Sequence, residues 1–208
     1  ARAGLAQLAA TARHIRGFRS LILFLLAMMC TANGLTTLFA FGGIYAAATF
    51  GLDFEELLLF GIAMNVTAGL GAAAFGWLDD AIGPRRTLLI ALAGLFVFGA
   101  AILLAGSKPA FWAAGLPLGL FVGPAQAAGR SYMAHAAPPE MRAEMFGLYA
   151  LAGKATNFLG PAVLAGMTET FSSQRAGMAS ILAFFVAGGV LLLFVPDPRA
   201  VARAPGKE

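Results

Sequence analysis

The sequence predicts an all-α integral membrane protein, a bundle of six transmembrane helices. Three observations carry that prediction. Charged residues make up 12% of the 208 residues and hydrophobic ones 60%, with a mean hydropathy of +0.81. A soluble domain carries about 25% charged residues, so this chain lacks the polar surface needed to face water on every side. Apolar runs close to the ~20 residues that cross a hydrocarbon core follow one another along the chain. Lys and Arg gather at alternate ends of those runs, as the orientation rule for membrane segments requires.

In order, residues 1–19 hold Arg2, Arg13, His14, Arg16 and Arg19, with Leu5, Leu8, Ala12 and Ile15 at helical spacing. This is the pattern of an amphipathic surface helix leading into the membrane. The first span, 20–45, carries Asn33, Thr36 and Thr37 near its middle. The second, 55–77, puts Gly61, Asn65, Gly69, Ala72 and Gly76 on one face. Such a stripe of small residues lets two membrane helices approach closely. The third, 87–105, is apolar and reads as a peripheral, lipid-facing helix. The fourth, 110–134, has Gly115, Gly119 and Gly123 at four-residue spacing, then Gln126 and Arg130 on the same side. Pro117 and Pro124 are expected to interrupt it, which neighbours or a cavity can accommodate. The fifth, 143–168, carries Lys154 and Asn157, with Gly160-Pro161 beyond. The sixth, 176–195, is apolar and stops at Pro196-Asp197-Pro198, before a basic tail. The expected organisation is thus a linker over 1–19, a transmembrane domain over 20–196 and a tail over 197–208.

Counting spans fixes the orientation. With the N-terminus in the cytoplasm, Lys108 and Arg175 lie outside, Lys154 lies within a span, and the other basic residues lie on or near the inside. Both termini are then cytoplasmic. The net charge of +4 does not indicate a nucleic-acid partner, because the cations sit at span ends. Cys30 is alone and cannot form an internal disulfide, and no Cys/His spacing suggests a metal. No cofactor motif is present. The absence of a carboxylate pair, a Ser/His/Asp set or a Gly-rich phosphate loop leaves an enzymatic reading with nothing to rest on. The chain has neither a signal peptide nor an initiator Met, so it is expected to begin inside a longer protein.

The polar residues at depth are the candidate substrate site: Asn33, Thr37, Gln126, Lys154 and Asn157. Lys154 is the sharpest of them. It lies about 15 Å into its span at 1.5 Å per residue, near the middle of a ~30 Å core. A charge there costs a few kcal/mol and usually faces a cavity or a partner. A structural pair with a carbonyl is the plainer alternative. Interhelical hydrogen bonds of about 1 kcal/mol would explain Asn33 and Asn157 without a ligand. Arg130 sits near a span end, where headgroup anchoring suffices.

Between the second and third spans lies the most charged short segment flanked by apolar runs, Gly76-Trp77-Leu78-Asp79-Asp80-Ala81-Ile82-Gly83-Pro84-Arg85-Arg86. Its Gly-x-x-x-Asp-x-x-Gly-x-Arg-Arg pattern resembles the cytoplasmic signature loop of the major facilitator superfamily of secondary transporters. The stretches 39–45, 61–65, 75–80, 146–156 and 173–177 narrow the resemblance to the UMF1 and Atg22-like branch. The resemblance implies the C-terminal six-helix half of a major facilitator fold, with a missing N-terminal six-helix half as partner, beside the lipid bilayer and a small-molecule substrate. It implies alternating-access transport, with amino-acid efflux as the expected activity. It also implies a gate at Gly76, Asp79, Asp80, Gly83, Arg85 and Arg86, in which Asp80 caps a neighbouring helix and pairs with arginine. Ala81 stands where the family usually has Arg, so the pairing is expected to fall to Arg85, Arg86 or Arg142. Two rivals remain: a half transporter that homodimerises, and a membrane scaffold or receptor domain that moves nothing. A midplane lysine argues against the scaffold.

Overall fold

The computed structural model describes residues 19–198, and no strand occurs among them. The helices are α1 (Arg19–Phe50), α2 (Phe54–Ile82), α3 (Pro84–Leu104), α4 (Lys108–Ala136), α5 (Arg142–Ala155), α6 (Leu159–Phe171) and α7 (Gln174–Leu193), with a 3₁₀ turn at Pro139–Met141. The amphipathic segment expected before the first span and the tail beyond Pro198 lie outside the described residues. By length and apolar composition α1, α2, α3 and α7 can each cross a membrane. α4 matches them in length but carries Gln126, Arg130 and His135. α5 and α6, with 14 and 13 residues, are two halves of one segment. The protein is therefore the all-α membrane bundle of six segments that the sequence predicts.

The connections are tight, and each has a local cause. Asp53 caps α2 by accepting from the Glu56 amide at 2.8 Å, while Glu56 accepts from the Asp53 amide at 3.0 Å. This reciprocal box satisfies two of the amides a helix start leaves open. Glu56 also pairs with Lys108 at 2.7 Å, which ties the starts of α2 and α4 together. Gly83 alone separates α2 from α3; its φ of 91° is a backbone state that favours glycine, and Pro84 then opens α3.

α4 packs on α2 and α3, α7 packs on α1, α3 and α6, and α1 also lies against α5 and α6. In lipid such contacts rest on shape and close approach rather than on removal of apolar surface from water. The expected small-residue stripe is corrected here. Gly61, Gly69 and Gly76 have open space where a side chain would go. The approach instead runs through Gly71 on α2 and Gly115, Gly119 and Gly123 on α4. A Cβ on Gly71 would run into the Leu120 carbonyl, and one on Gly115 would meet the Phe60 ring at 2.5 Å.

Pro124 explains that contact. It has no amide hydrogen to give to the carbonyl four residues back, that of Leu120. Gly71 lets α2 cover this freed carbonyl at backbone distance, a Cα–H···O approach. α4 accordingly stays helical through both Pro117 and Pro124. The interruption falls in the fifth segment, predicted as one continuous helix, at Thr156–Phe158. Pro161 accounts for it: a continuous helix would need the proline amide to serve Asn157, whereas in the first turn of a new helix the missing donor costs nothing. The third expectation is corrected as well. α3 keeps Ile90, Phe96 and Val97 exposed but buries Leu88, Ala91, Leu92 and Leu95, while of all α2 residues only Gly71 is fully buried. The outlying helix is α2.

Candidate functional site

A cavity of about 360 Å³ lies between α1, α4 and the broken segment α5–α6. α1 contributes Thr31, Ala32 and Thr36; α4 contributes Ala125, Gln126 and Arg130; α5 contributes Tyr149, Gly153 and Lys154; Asn157 comes from the break itself. Of the five residues expected there, Gln126, Lys154 and Asn157 line it. Asn33 and Thr37 do not; they are 2% and 0% exposed and lie behind the wall.

Their positions explain how the break is held. The Asn33 side-chain oxygen accepts from the Gly160 amide at 2.9 Å, in the first turn of α6. The Asn33 amide group donates to Thr156 Oγ1 at 3.0 Å and to the Met29 carbonyl at 2.9 Å. One side chain therefore serves both ends of the interruption. Thr37 donates to the Asn33 carbonyl at 2.7 Å. Gly160 leaves no room for a side chain, since its Cβ would lie 2.8 Å from the Asn33 carbonyl oxygen and against Thr37 Oγ1. The buried Asn33 side chain is thus satisfied between helices, as hydrocarbon surroundings demand.

The break also sets the electrostatics. Lys154 lies in the last turn of α5, where the partial negative charge of the helix end favours a cation. Its side chain is exposed to the cavity. Arg130 is likewise exposed and lines the same cavity from α4, so the residue that a headgroup anchor would explain stands instead beside Gln126 over the cavity. Two cations face this space, and no Asp or Glu is among its lining residues. Tyr149 completes the wall from an aromatic stack with Phe24, whose ring also lies 4.0 Å from that of Tyr132. Thr36 reaches Asn157 at 3.5 Å, a long contact that leaves Asn157 free to bond elsewhere. Arg130, Tyr149 and Thr36 are the wall residues that sequence reasoning passed over. Arg130 follows Gln126 by one helical turn, which was the available signal.

The family model described as vacuole effluxer Atg22-like matches residues 2–204. The chain belongs to the Atg22-like family. Among curated proteins it is 26% identical over 191 residues to the uncharacterized MFS-type transporter YxiO of Bacillus subtilis, covering 92% of this chain and 44% of that protein. It is 24% identical over 199 residues to autophagy-related protein 22 of Coccidioides immitis, covering 88% of this chain and 33% of that protein. The autophagy-related protein 22-1 of Penicillium rubens gives 24% over 202 residues, 90% and 33%. This Atg22-like chain thus spans under half the length of the curated relatives it matches.

The charged loop of this Atg22-like chain can be placed residue by residue. Gly76 and Asp80 are exposed, and so is Arg86. Asp79 turns inward and accepts from Ser131 Oγ on α4 at 2.5 Å. Arg85 donates to the carbonyls of Leu192 and Leu193 at 3.0 and 2.9 Å, closing the last turn of α7. The last carbonyls of a helix lack intrahelical donors; the Val195 amide reaches that of Leu192 at 3.2 Å, and the guanidinium meets both with charge and geometry. Arg85 is therefore spent on a helix end.

Proposed function

We propose that the full protein is a secondary transporter whose solute binds in the α1–α4–α5 cavity and carries a carboxylate, amino acids included. The observation that carries this reading is that Arg130 from the α4 wall and Lys154 from the α5 wall line one cavity with no acid among its lining residues. A carboxylate suits a guanidinium's bidentate donors, and an ammonium provides a second, freely oriented charge. The C-terminal end of α5 and the N-terminal end of α6 meet at this wall, the arrangement by which discontinuous helices serve ion and substrate sites. The relatives are more than twice as long as the matched region, which supports a remaining half of the protein that closes the cavity. Both termini of this half lie in the cytoplasm, in a bacterial inner membrane.

The test is uptake or efflux of labelled amino acids by proteoliposomes holding the full-length protein. Lys154→Ala abolishes transport on this reading. Lys154→Arg impairs it, because the two cations differ in shape and in the number of donors. Arg130→Ala raises the KM by roughly tenfold or more, as loss of a charged hydrogen bond of about 1.5–3 kcal/mol implies. Full activity in Lys154→Ala, with normal membrane insertion, sinks the proposal.

A further inference from the structure

A second cavity, of about 140 Å³, lies on the opposite face of α4, where α2 ends and α3 begins. Its polar lining consists of Asp79 from α2, Thr87 from α3 and Ser131 from α4; the remainder is Ala, Gly, Pro and one Phe. Ser131 Oγ gives its hydrogen to Asp79 Oδ2, and Thr87 Oγ1 gives its own to the Gly83 carbonyl at 3.0 Å. Each hydroxyl has spent its only donor and keeps acceptor lone pairs. Asp79 Oδ1 is buried, and no hydrogen-bond donor among the described residues reaches it. No Lys, Arg or His lines the space. The cavity therefore presents acceptors only, around a buried carboxylate oxygen that no cationic side chain among the described residues meets. Such an oxygen is expensive to hold in a membrane bundle unless something cationic meets it.

We infer that this cavity binds a monovalent metal cation, sodium in first place, through the Asp79 carboxylate with the Ser131 and Thr87 hydroxyl oxygens. The donor set is hard oxygen without nitrogen or sulfur, which selects hard cations over transition metals. It holds a single carboxylate, which balances one positive charge; calcium sites assemble six to eight oxygens, commonly with several carboxylates. The three oxygens come from three helices, so occupancy draws the end of α2, the start of α3 and α4 together. On the transport reading above, on which this role rests, the bound ion is the coupling ion. The binding itself stands apart from that reading.

The experiment measures thermal unfolding of the full-length protein in detergent while sodium chloride is titrated against choline chloride at constant ionic strength. The wild-type midpoint rises saturably with sodium by on the order of a few degrees, as a ligand that binds only the folded state requires. Asp79→Asn loses the response, and Ser131→Ala needs several-fold more sodium to reach the same shift. A wild-type midpoint that follows choline as well as sodium overturns the inference, as does a sodium response retained in Asp79→Asn. Should Asp79→Asn fail to fold, an unaltered sodium titration in Ser131→Ala overturns it. Because the readout is thermal, a protein that moves no solute can still pass, and failure of the transport reading is told apart from failure of this one.

Discussion

Asn33 and Asn157 show how two identical side chains divide between architecture and chemistry. Asn33 is buried and makes three hydrogen bonds, of which those to Gly160 and Thr156 hold the two ends of the interrupted segment. Replacing it with alanine leaves the Gly160 amide without an acceptor in an apolar interior, at a cost of about 1–3 kcal/mol. Among the described residues the Asn157 side chain has the 3.5 Å contact with Thr36 as its one hydrogen bond, and it faces the cavity. We therefore expect Asn33→Ala to lower the unfolding midpoint by several degrees, and Asn157→Ala to leave the midpoint nearly unchanged while reducing transport. Equal midpoints for the two variants would remove the distinction. The sequence places both residues at depth, and nothing in their local pattern separates them, because the difference is made by a Gly160 amide more than a hundred positions from Asn33.

At the scale of helices, the six segments and their order are legible because apolar runs of membrane length are long and uniform signals. Two finer features are not. The site of the interruption was expected in α4, where Pro117 and Pro124 stand mid-helix, but lies before Pro161 in the fifth segment. A proline's effect depends on what meets the carbonyl it frees, and for Pro124 that partner is Gly71 on another helix. The packing face of α2 was also misjudged, because three of its glycines share an open face while the single Gly71 marks the packed one, and only α4 decides which is used. This yields a test with opposite signs. Gly69→Ala, on the open face, raises stability by up to about 1 kcal/mol through helix propensity. Gly71→Ala puts a methyl into the Leu120 carbonyl and lowers it, by roughly 1–3 kcal/mol. Unfolding midpoints in detergent report both, and a stabilised Gly71→Ala variant would overturn the packing account.

For the molecule as a whole, the asymmetry of basic residues leads us to expect both termini on the cytoplasmic side. In a background where Cys30 is replaced by serine, single cysteines at positions 108 and 207 are exposed in turn to a membrane-impermeant thiol reagent. Reaction at 108 and protection at 207 in intact cells is the expected pattern; the reverse would invert the protein. Of the candidate cavity, the sequence shows the members whose polarity is conspicuous in an apolar run, Gln126, Lys154 and Asn157. It conceals Arg130, because an arginine near a span end has an ordinary explanation at the membrane surface, and only the fold shows that this turn of α4 faces inward.

Arg85 has a mechanical consequence. It clasps the start of α3 to the end of α7, while α3 also lies between α4 and α7 along its length. That corner of the bundle is stiff. The main chain loses its regular helical bonding at Thr156–Phe158, beside the cavity lined by Lys154 and Asn157. If the proposed solute site is correct, we expect compliance to be concentrated beside it, so that the bundle would act as a lever with its hinge at the load. Amide hydrogen exchange reads this directly: protons at 156–158 exchange faster than those at 87–92, and uniform rates across the two stretches would show that no such hinge exists.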